Sequence, residues 1–495
     1  MINWEAFFAS SKLLFDFYVI FLMFAGVFMG IVIGAIPGLT GGIGIAIMLP
    51  FTYTMGPLYS LVLLLSIYTG GLWGGAITAI LFNAPGSPAS AATALDGYPM
   101  TLKGQAGRAL GLSVAASTIG GILGVITLVV FMNPLGKVVI GLGSSEMCMI
   151  ALFAFTVIAS LKGNSLARTL FATAFGISIG TVGMTDAGYV RGTYGNVYLM
   201  DGFPLIPTLI GFFAISEFII LLEREFITNV KFPQTSVKDI FNGVRAVFTY
   251  PILLLRSSII GVIIGAIPAA GSTVANIVSY NEAKRWSNTP EKYGTGIDEG
   301  VIAGEAANNA SEGGALLTML LLGIPGGAST AMLLGALLIQ GWVPGPRLII
   351  DHKEIIYAAL IAEFIEEFIL LGLGIIFATV VAKIINFPIK ILIPCLAIFT
   401  VIGALSLRGL VFDASLIILF GVLGYFFKKL DYPVIAVVLG FLLGPILDAE
   451  LIRTFQRFGD ISPFYTRPVS LMFLILSVLG LVVPYLFQLR KNRSH

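Results

Sequence analysis

Charge is what this chain has least of. Only 11% of its 495 residues are charged and the net charge is +2, against roughly 25% charged residues in soluble domains. So small a balance excludes an electrostatic grip on nucleic acid and a basic membrane-surface protein. Cysteine is nearly absent. Cys148 and Cys395 stand far apart in apolar segments, which excludes a disulfide framework and predicts two buried free thiols. Histidine occurs only at His352, beside a polar loop, and at His495, leaving no Ser/His pair for hydrolysis among the apolar segments. No GxxxxGK[ST] loop is present, because Gly136-Lys137 is followed by Val138, so the chain is not expected to hydrolyse ATP. Asp96, Lys103 and Arg108 read as a loop and helix cap rather than as a catalytic set. The chain is read as no enzyme; an intramembrane enzyme using Asp186 with a second acid is one alternative.

What is present is apolar. Hydrophobic residues make up 57% of the chain and the mean hydropathy is +0.98, which predicts an all-α integral membrane protein. The run 18–36 is long enough to span, since a crossing takes about 20 residues, and it lacks a basic leader and cleavage site; it reads as a retained first helix. Shorter runs follow at 43–52 and 58–67, neither an ordinary span alone. With the segments at 109–131, 138–161, 169–182 and 205–222, and eight more beyond 251, they predict roughly eleven or twelve crossings. A polar interval at 223–245 carries Arg224, Lys231, Lys238 and Arg245 and reads as an exposed linker. The expected organisation is therefore a first membrane half at 1–222, a linker at 223–245, and a second half with C-terminal helices at 246–495.

The two halves resemble each other. IVIGAIP ends at Pro37 and VIIGAIP at Pro268; Gly74, Thr78 and Pro85-Gly86 fall on Gly314, Thr318 and Pro325-Gly326 in a second, ungapped match. Two matches in the same order argue for internal duplication. Proline and glycine interrupt the apolar runs at corresponding places, the sequence pointer to a transporter site between repeats. A break of this kind frees backbone carbonyls and is tolerated at membrane depth only where it is buried in protein or lines a wet cavity. The 58 glycines and 23 prolines also allow a blander origin in packing helices with proline kinks.

Chemistry follows from the breaks. Helix N-termini after Pro37, Pro85, Pro268 and Pro325 offer free N–H groups and the positive end of a dipole, which attract anions. Candidate substrate-binding residues are Pro37, Gly38 and Thr40 at the first break; Asn83, Pro85, Gly86, Ser87, Ser90 and Thr93 at the second; Gly271, Ser272, Thr273 and Asn276 at the third; and Pro325, Gly326, Gly327, Ser329 and Thr330 at the fourth. A carboxylate suits such neutral donors. The polar stretch 280–299 reads as a surface loop. Beyond it, Glu305, Asn308, Asn309 and Glu312 share one face if the segment is helical. Asn308 and Asn309 are assigned to substrate or coupling ion and Glu305 to the coupling ion; packing glue between helices is the alternative. Freed carbonyls at the breaks offer a place for Na⁺. No cofactor is expected beyond Na⁺ or H⁺ as the coupling ion. A channel is the rival reading, because broken helices occur there too.

The blocks GAIPGLTGG, YTGGLWGGAITAILFNAPGSPASAATALDGYPMTLKGQAGRAL, GAIPAAGSTVANIVSYNEAKRWS and GIDEGVIAGEAANNASEGGALLTMLLLGIPGG running into GWVPGP resemble the large membrane subunit of the tripartite tricarboxylate transporters, the TctA family. The resemblance implies a bacterial inner-membrane carrier working with a small TctB-like membrane subunit and a periplasmic TctC-like solute-binding protein, taking up organic acids on an ion gradient. One departure is visible. The third break reads Pro268-Ala269-Ala270-Gly271, where a glycine is expected directly after the proline. The basic tail Arg490-Lys491-Asn492-Arg493, together with Lys428 and Lys429, predicts a cytoplasmic C-terminus.

Overall fold

The computed structural model describes residues 4–160, 165–185, 187–223, 235–384 and 389–493. They are almost entirely helical; a two-residue hairpin, Gly183–Met184 antiparallel to Val190–Arg191, is the sheet present. Six helices are long and apolar enough to cross a membrane, a bent pair at 80° makes a seventh candidate, and further apolar helices are shorter. The chain folds into two units: one takes 1–136 and 217–407, the other 137–216 and 408–495. Each sequence half thus contributes to both units.

Ten helices organise the first unit: α1 (Phe17–Gly34), α2 (Gly41–Thr52), α3 (Pro57–Phe82), α4 (Ala91–Leu102), α5 (Ala106–Ile140), α6 (Pro251–Gly265), α7 (Gly271–Arg285), α8 (Asp298–Leu322), α9 (Ala328–Ile339) and α10 (Lys353–Ile384). The duplication is visible in three dimensions. α1, α2, α3 and α4 recur as α6, α7, α8 and α9, and the glycines that let helices touch recur with them. A Cβ at Gly34 would stand 2.5 Å from the Gly71 carbonyl, and one at Gly265 would stand 2.1 Å from the Ser311 carbonyl. Gly74 meets the Ile31 carbonyl as Gly314 meets that of Val262; Gly86 meets the Gly34 carbonyl as Gly326 meets that of Gly265. In lipid no solvent rewards apolar burial between helices, so association rests on this close approach of backbones.

The same approach explains a difference from the sequence reading. Of the two runs that looked too short to span, 43–52 remains the short helix α2, while 58–67 continues into the next and gives α3 as a single helix of 26 residues. Its doublets Gly70-Gly71 and Gly74-Gly75 are crossing points for α1 and α2 and for the second break, not helix ends. Likewise α8 is 25 residues long and absorbs both the polar-faced segment and the apolar run after it. Both helices end in a left-handed cap, Asn83 at φ 55° and Gly323 at φ 69°.

Part of the interval read as linker, 224–234, lies outside the described residues. The remainder holds a helix, Val237–Val247, whose Ile240 and Val247 are fully buried. Its polar residues face outward, which is why the sequence reads as exposed. Gly111 and Gly243 let it press backbone to backbone on the start of α5. Both cysteines are free, but Cys395 is exposed while Cys148 is buried; its helix, Ile389–Arg408, turns that face to the outside of the fold. Asp186 lies outside the described residues.

The second unit is built from the helices Ser144–Ser160, Leu166–Gly180, Leu205–Ile210 with its π-helical continuation Gly211–Ile215, Val411–Lys429, Val434–Phe458 and Pro468–Arg493. Gly176 and Gly440 repeat the small-residue device, meeting the Val437 and Thr173 carbonyls. Its ion pairs include Arg467 with Glu146 at 2.7 Å and Arg191 with Asp448 at 2.5 Å.

Two outcomes follow from this packing. Gly314→Ala places a methyl 2.0 Å from the Val262 carbonyl and should cost about 1–3 kcal/mol; an unchanged melting temperature in detergent would refute the close crossing of α6 and α8. Ala269, at φ 58°, occupies the place of Gly38, at φ 92°, so the missing glycine is a strained alanine. Ala269→Gly should stabilise the chain by about 1 kcal/mol, read in the same melt.

Candidate functional site

All four breaks predicted from the sequence interrupt helices, and the fold brings them together in two crossed pairs. The N-terminus of α2 meets that of α9: a Cβ at Gly42 would stand 3.2 Å from both the amide nitrogen and the hydroxyl of Ser329. The N-terminus of α7 meets the start of α4: the Ala92 N–H donates to Asn276 Oδ1 at 2.9 Å, and Asn276 Nδ2 donates to Thr93 Oγ1 at 3.1 Å. Each pair joins one repeat to the other. The Gly38 N–H donates to the Gly86 carbonyl at 2.9 Å, tying the first break to the second.

The predicted hydroxyls divide by what they already do. Thr40 caps α2, accepting from the Ile43 N–H at 3.4 Å. Thr330 accepts from the Gly327 N–H at 2.9 Å and donates to the Gly327 carbonyl at 3.0 Å, so its hydrogen-bonding capacity serves the start of α9. Ser87 and Ser90 differ: both are buried and both hydroxyl oxygens lack a partner. They lie over Gly75, where a Cβ would stand 2.8 Å from one and 3.1 Å from the other. Ser272, Thr273 and Ser329 are half-buried at helix starts. Asn83 is exposed and serves as the left-handed cap of α3. Pro37, Pro85, Gly271, Pro325 and Gly326 shape the breaks through their backbone.

The polar face of α8 points inward along its whole length, with Glu305, Asn308, Asn309 and Glu312 at most 1% exposed. The Glu305 carboxylate accepts from Thr93 of α4 and from Ser117 of α5, the latter at 2.9 Å. Asn308 Nδ2 donates to the Leu72 carbonyl of α3 at 3.2 Å. Thr69 of α3 donates toward both oxygens of Glu312 at 3.3 Å. Asn308 Oδ1 and both polar atoms of the Asn309 side chain are buried without a partner. Such orphaned groups in a native interior call for an occupant, a water or a strain account.

Three further carboxyls were missed from the sequence. Glu363, Glu366 and Glu367 of α10 are fully buried, and none of their six oxygens has a hydrogen-bond partner. Glu367 comes so close to α5 that a Cβ at Gly121 would overlap it, at 1.7 Å from Oε1. The signal was present: three acids within five residues inside the apolar run 355–381, where an ionisable residue is a functional hypothesis by default. Among the described residues no group of three acidic, His or Cys side chains is placed to hold a metal ion.

Asp96 also differs from its reading as part of a loop and helix cap. It sits in α4, fully buried, and accepts from the N–H groups of Gly294, Gly296 and Ile297 at 3.0, 2.7 and 3.1 Å and from the Tyr280 hydroxyl at 2.9 Å. The stretch read as a surface loop is thereby folded back on α4, with Tyr280 and Tyr293 buried edge to face. Arg108 pairs with Asp298 at the start of α8. An open cleft of about 510 Å³ between α5 and α6 is apolar; its Thr127 and Ser258 hydroxyls already donate to carbonyls of their own helices, so it offers an anion nothing.

Asp96→Ala should leave three backbone donors without their acceptor at a cost of about 2–4 kcal/mol, with protease cleavage between 285 and 298 as the accompanying readout; wild-type resistance would refute the anchoring role.

A sequence model described as the tripartite tricarboxylate transporter TctA family matches residues 20–439. An uncharacterized 52.8 kDa protein from the TAR-I ttuC' 3' region of Agrobacterium vitis is 32% identical over 480 residues, 95% of this chain and 94% of the relative. An uncharacterized protein from the TAR-II ttuC' 3' region of the same organism is 31% identical over 236 residues, 47% of this chain and 97% of the relative. No solved structure matches.

Proposed function

Because the chain belongs to the tripartite tricarboxylate transporter TctA family, we propose that it is the translocating subunit of a secondary carrier that takes up di- or tricarboxylates, with the substrate held where the four helix breaks meet. The observation that carries this is the pair of buried, unpartnered hydroxyls of Ser87 and Ser90 beside crossed helix N-termini from both repeats. Helix N-termini favour an anion by dipole and by free N–H groups, and neutral donors release it each cycle, as a buried arginine would not. Thr93 and Asn276 fix the relation of α4 to α7; Ser272, Thr273 and Ser329 add donors at the two later breaks. The two repeats move against each other around that site in alternating access. The sequence halves 1–222 and 246–495 are the units of duplication.

In this reading a periplasmic TctC-like solute-binding protein delivers the acid and a small TctB-like membrane subunit completes the carrier in a bacterial inner membrane. An Na⁺ or H⁺ gradient drives uptake without ATP. The basic tail and Lys428 with Lys429 support a cytoplasmic C-terminus by the positive-inside tendency.

The test is uptake of labelled di- and tricarboxylates into proteoliposomes holding this chain and its small subunit, with and without the binding protein, under separately imposed Na⁺ and pH gradients. Accumulation should require the binding protein and one gradient; flux that merely equilibrates would make the breaks a pore lining. Ser87→Ala, Ser272→Ala and Ser329→Ala should each weaken apparent affinity several-fold, as loss of one hydrogen bond of about 0.5–1.5 kcal/mol requires, without lowering the melting temperature. Unchanged affinity in all three would move the site elsewhere.

A further inference from the structure

The carboxyls of Glu312, Glu363, Glu366 and Glu367 lie near enough to act on one another, on α8 and α10, each of which packs on α3. Each is at most 1% exposed. On α10 the three acids follow at i, i+3 and i+4, so they share one face. The groups that act on the cluster are Tyr68, Thr69 and Ser66 of α3 and Asn309 of α8; Gly121 of α5 yields the space for Glu367, and Thr118 of the same helix donates to the Glu367 carbonyl at 3.3 Å. Phe377 of α10 meets Phe28 of α1 as an aromatic pair. Among the described residues no Lys, Arg or His pairs with any of the four acids.

Four ionised carboxylates without a cation, exposed to neither water nor a full set of donors, would be prohibitively costly, and like charges so placed cannot all ionise together. Something cationic must share the space. The fully buried Asn309 points the same way from a neutral group: apart from its approach to the Glu367 carboxyl, its amide has no partner. Among the described residues no group of three acidic, His or Cys side chains is placed to hold a metal ion. Protons need only carboxyls near enough to share them, because a neutral carboxyl both donates and accepts.

We propose that Glu312, Glu363, Glu366 and Glu367, with Asn309, form an exchangeable-proton site, taking up hydrogen ions as carboxylate becomes carboxylic acid and returning them, and that this site couples the proton gradient to transport. The coupling half rests on the carrier reading above; the protonation half does not.

Two measurements separate them. Infrared spectroscopy of the purified full-length chain in sodium-free buffer should show the carbonyl stretch of protonated carboxyls near neutral pH, fading as pH rises, and reduced in Glu363→Gln, Glu366→Gln and Glu367→Gln. Absence of that band in the wild-type chain, or its loss on adding NaCl at fixed pH, would overturn the proton site, and the wild-type measurement needs no variant to fold. In proteoliposomes with its partners, Glu367→Gln should lower pH-gradient-driven uptake about tenfold or more while exchange of labelled for unlabelled substrate at equal concentrations persists. Undiminished pH-driven uptake would overturn the coupling role. If the band titrates and the Gln variants remove it, yet the wild-type system moves no carboxylate, the carrier reading falls and the proton site stands.

Discussion

Contact between backbones, glycine against carbonyl, is the constraint on which the first unit depends. In lipid a helix gains nothing by hiding apolar side chains from other apolar side chains. α1 and α3 therefore hold together because Gly34, Gly70 and Gly74 allow carbonyls to within a methyl's reach, and α6 and α8 because Gly261, Gly265 and Gly314 do the same. The crossing is what permits the breaks. Gly86 and Gly326 lie on the carbonyls of Gly34 and Gly265, and the Gly86 N–H donates to the Gly75 carbonyl at 3.1 Å. Interrupted backbone is thus satisfied by the neighbouring helix, the condition under which it survives at membrane depth.

Much of this was legible because it depends on residues with few substitutes. Proline and glycine at the breaks, and their recurrence, announce both the interruptions and the duplication. The glycine absent after Pro268 even marks a position whose backbone is left-handed, as Ala269 shows. What was not legible depends on partners distant in sequence. Asp96 resembles a loop residue until the 294–297 backbone folds over it. The run 58–67 resembles a short piece until α3 carries it on through Gly70-Gly71 and Gly74-Gly75, where α1, α2 and the second break lie across it. Thr40 and Thr330 resemble ligand hydroxyls, whereas helix caps claim them.

The carboxyls of α10 are a different case. Their spacing was readable, but an apolar run with three acids gives no hint of its neighbours, and Glu312 alone could be assigned to a solvated vestibule. Only when α8 and α10 are both packed on α3 does the shared burial of four acids emerge, and with it a charge problem that packing cannot solve.

α8 is where the two chemistries meet. Near its start Glu305 is bonded through Thr93 to Asn276, and so to the helices that form the breaks; two turns on, Glu312 faces the acids of α10 while Thr69 of α3 donates to it. Asn308, between them, grips the α3 backbone at Leu72. A rigid helix bonded at one end to the proposed substrate region and at the other to the proposed proton site would transmit a shift at either end to the other, provided it has two discrete positions that each end biases. The hydroxyl bonds from Thr93 to Glu305 and from Thr69 to Glu312 would differ between such positions, because these two donors belong to the first repeat while both acceptors belong to the second. Motion of one repeat against the other therefore cannot occur without remaking these bonds, which makes the state of the carboxyls and the position of the breaks two readings of one displacement.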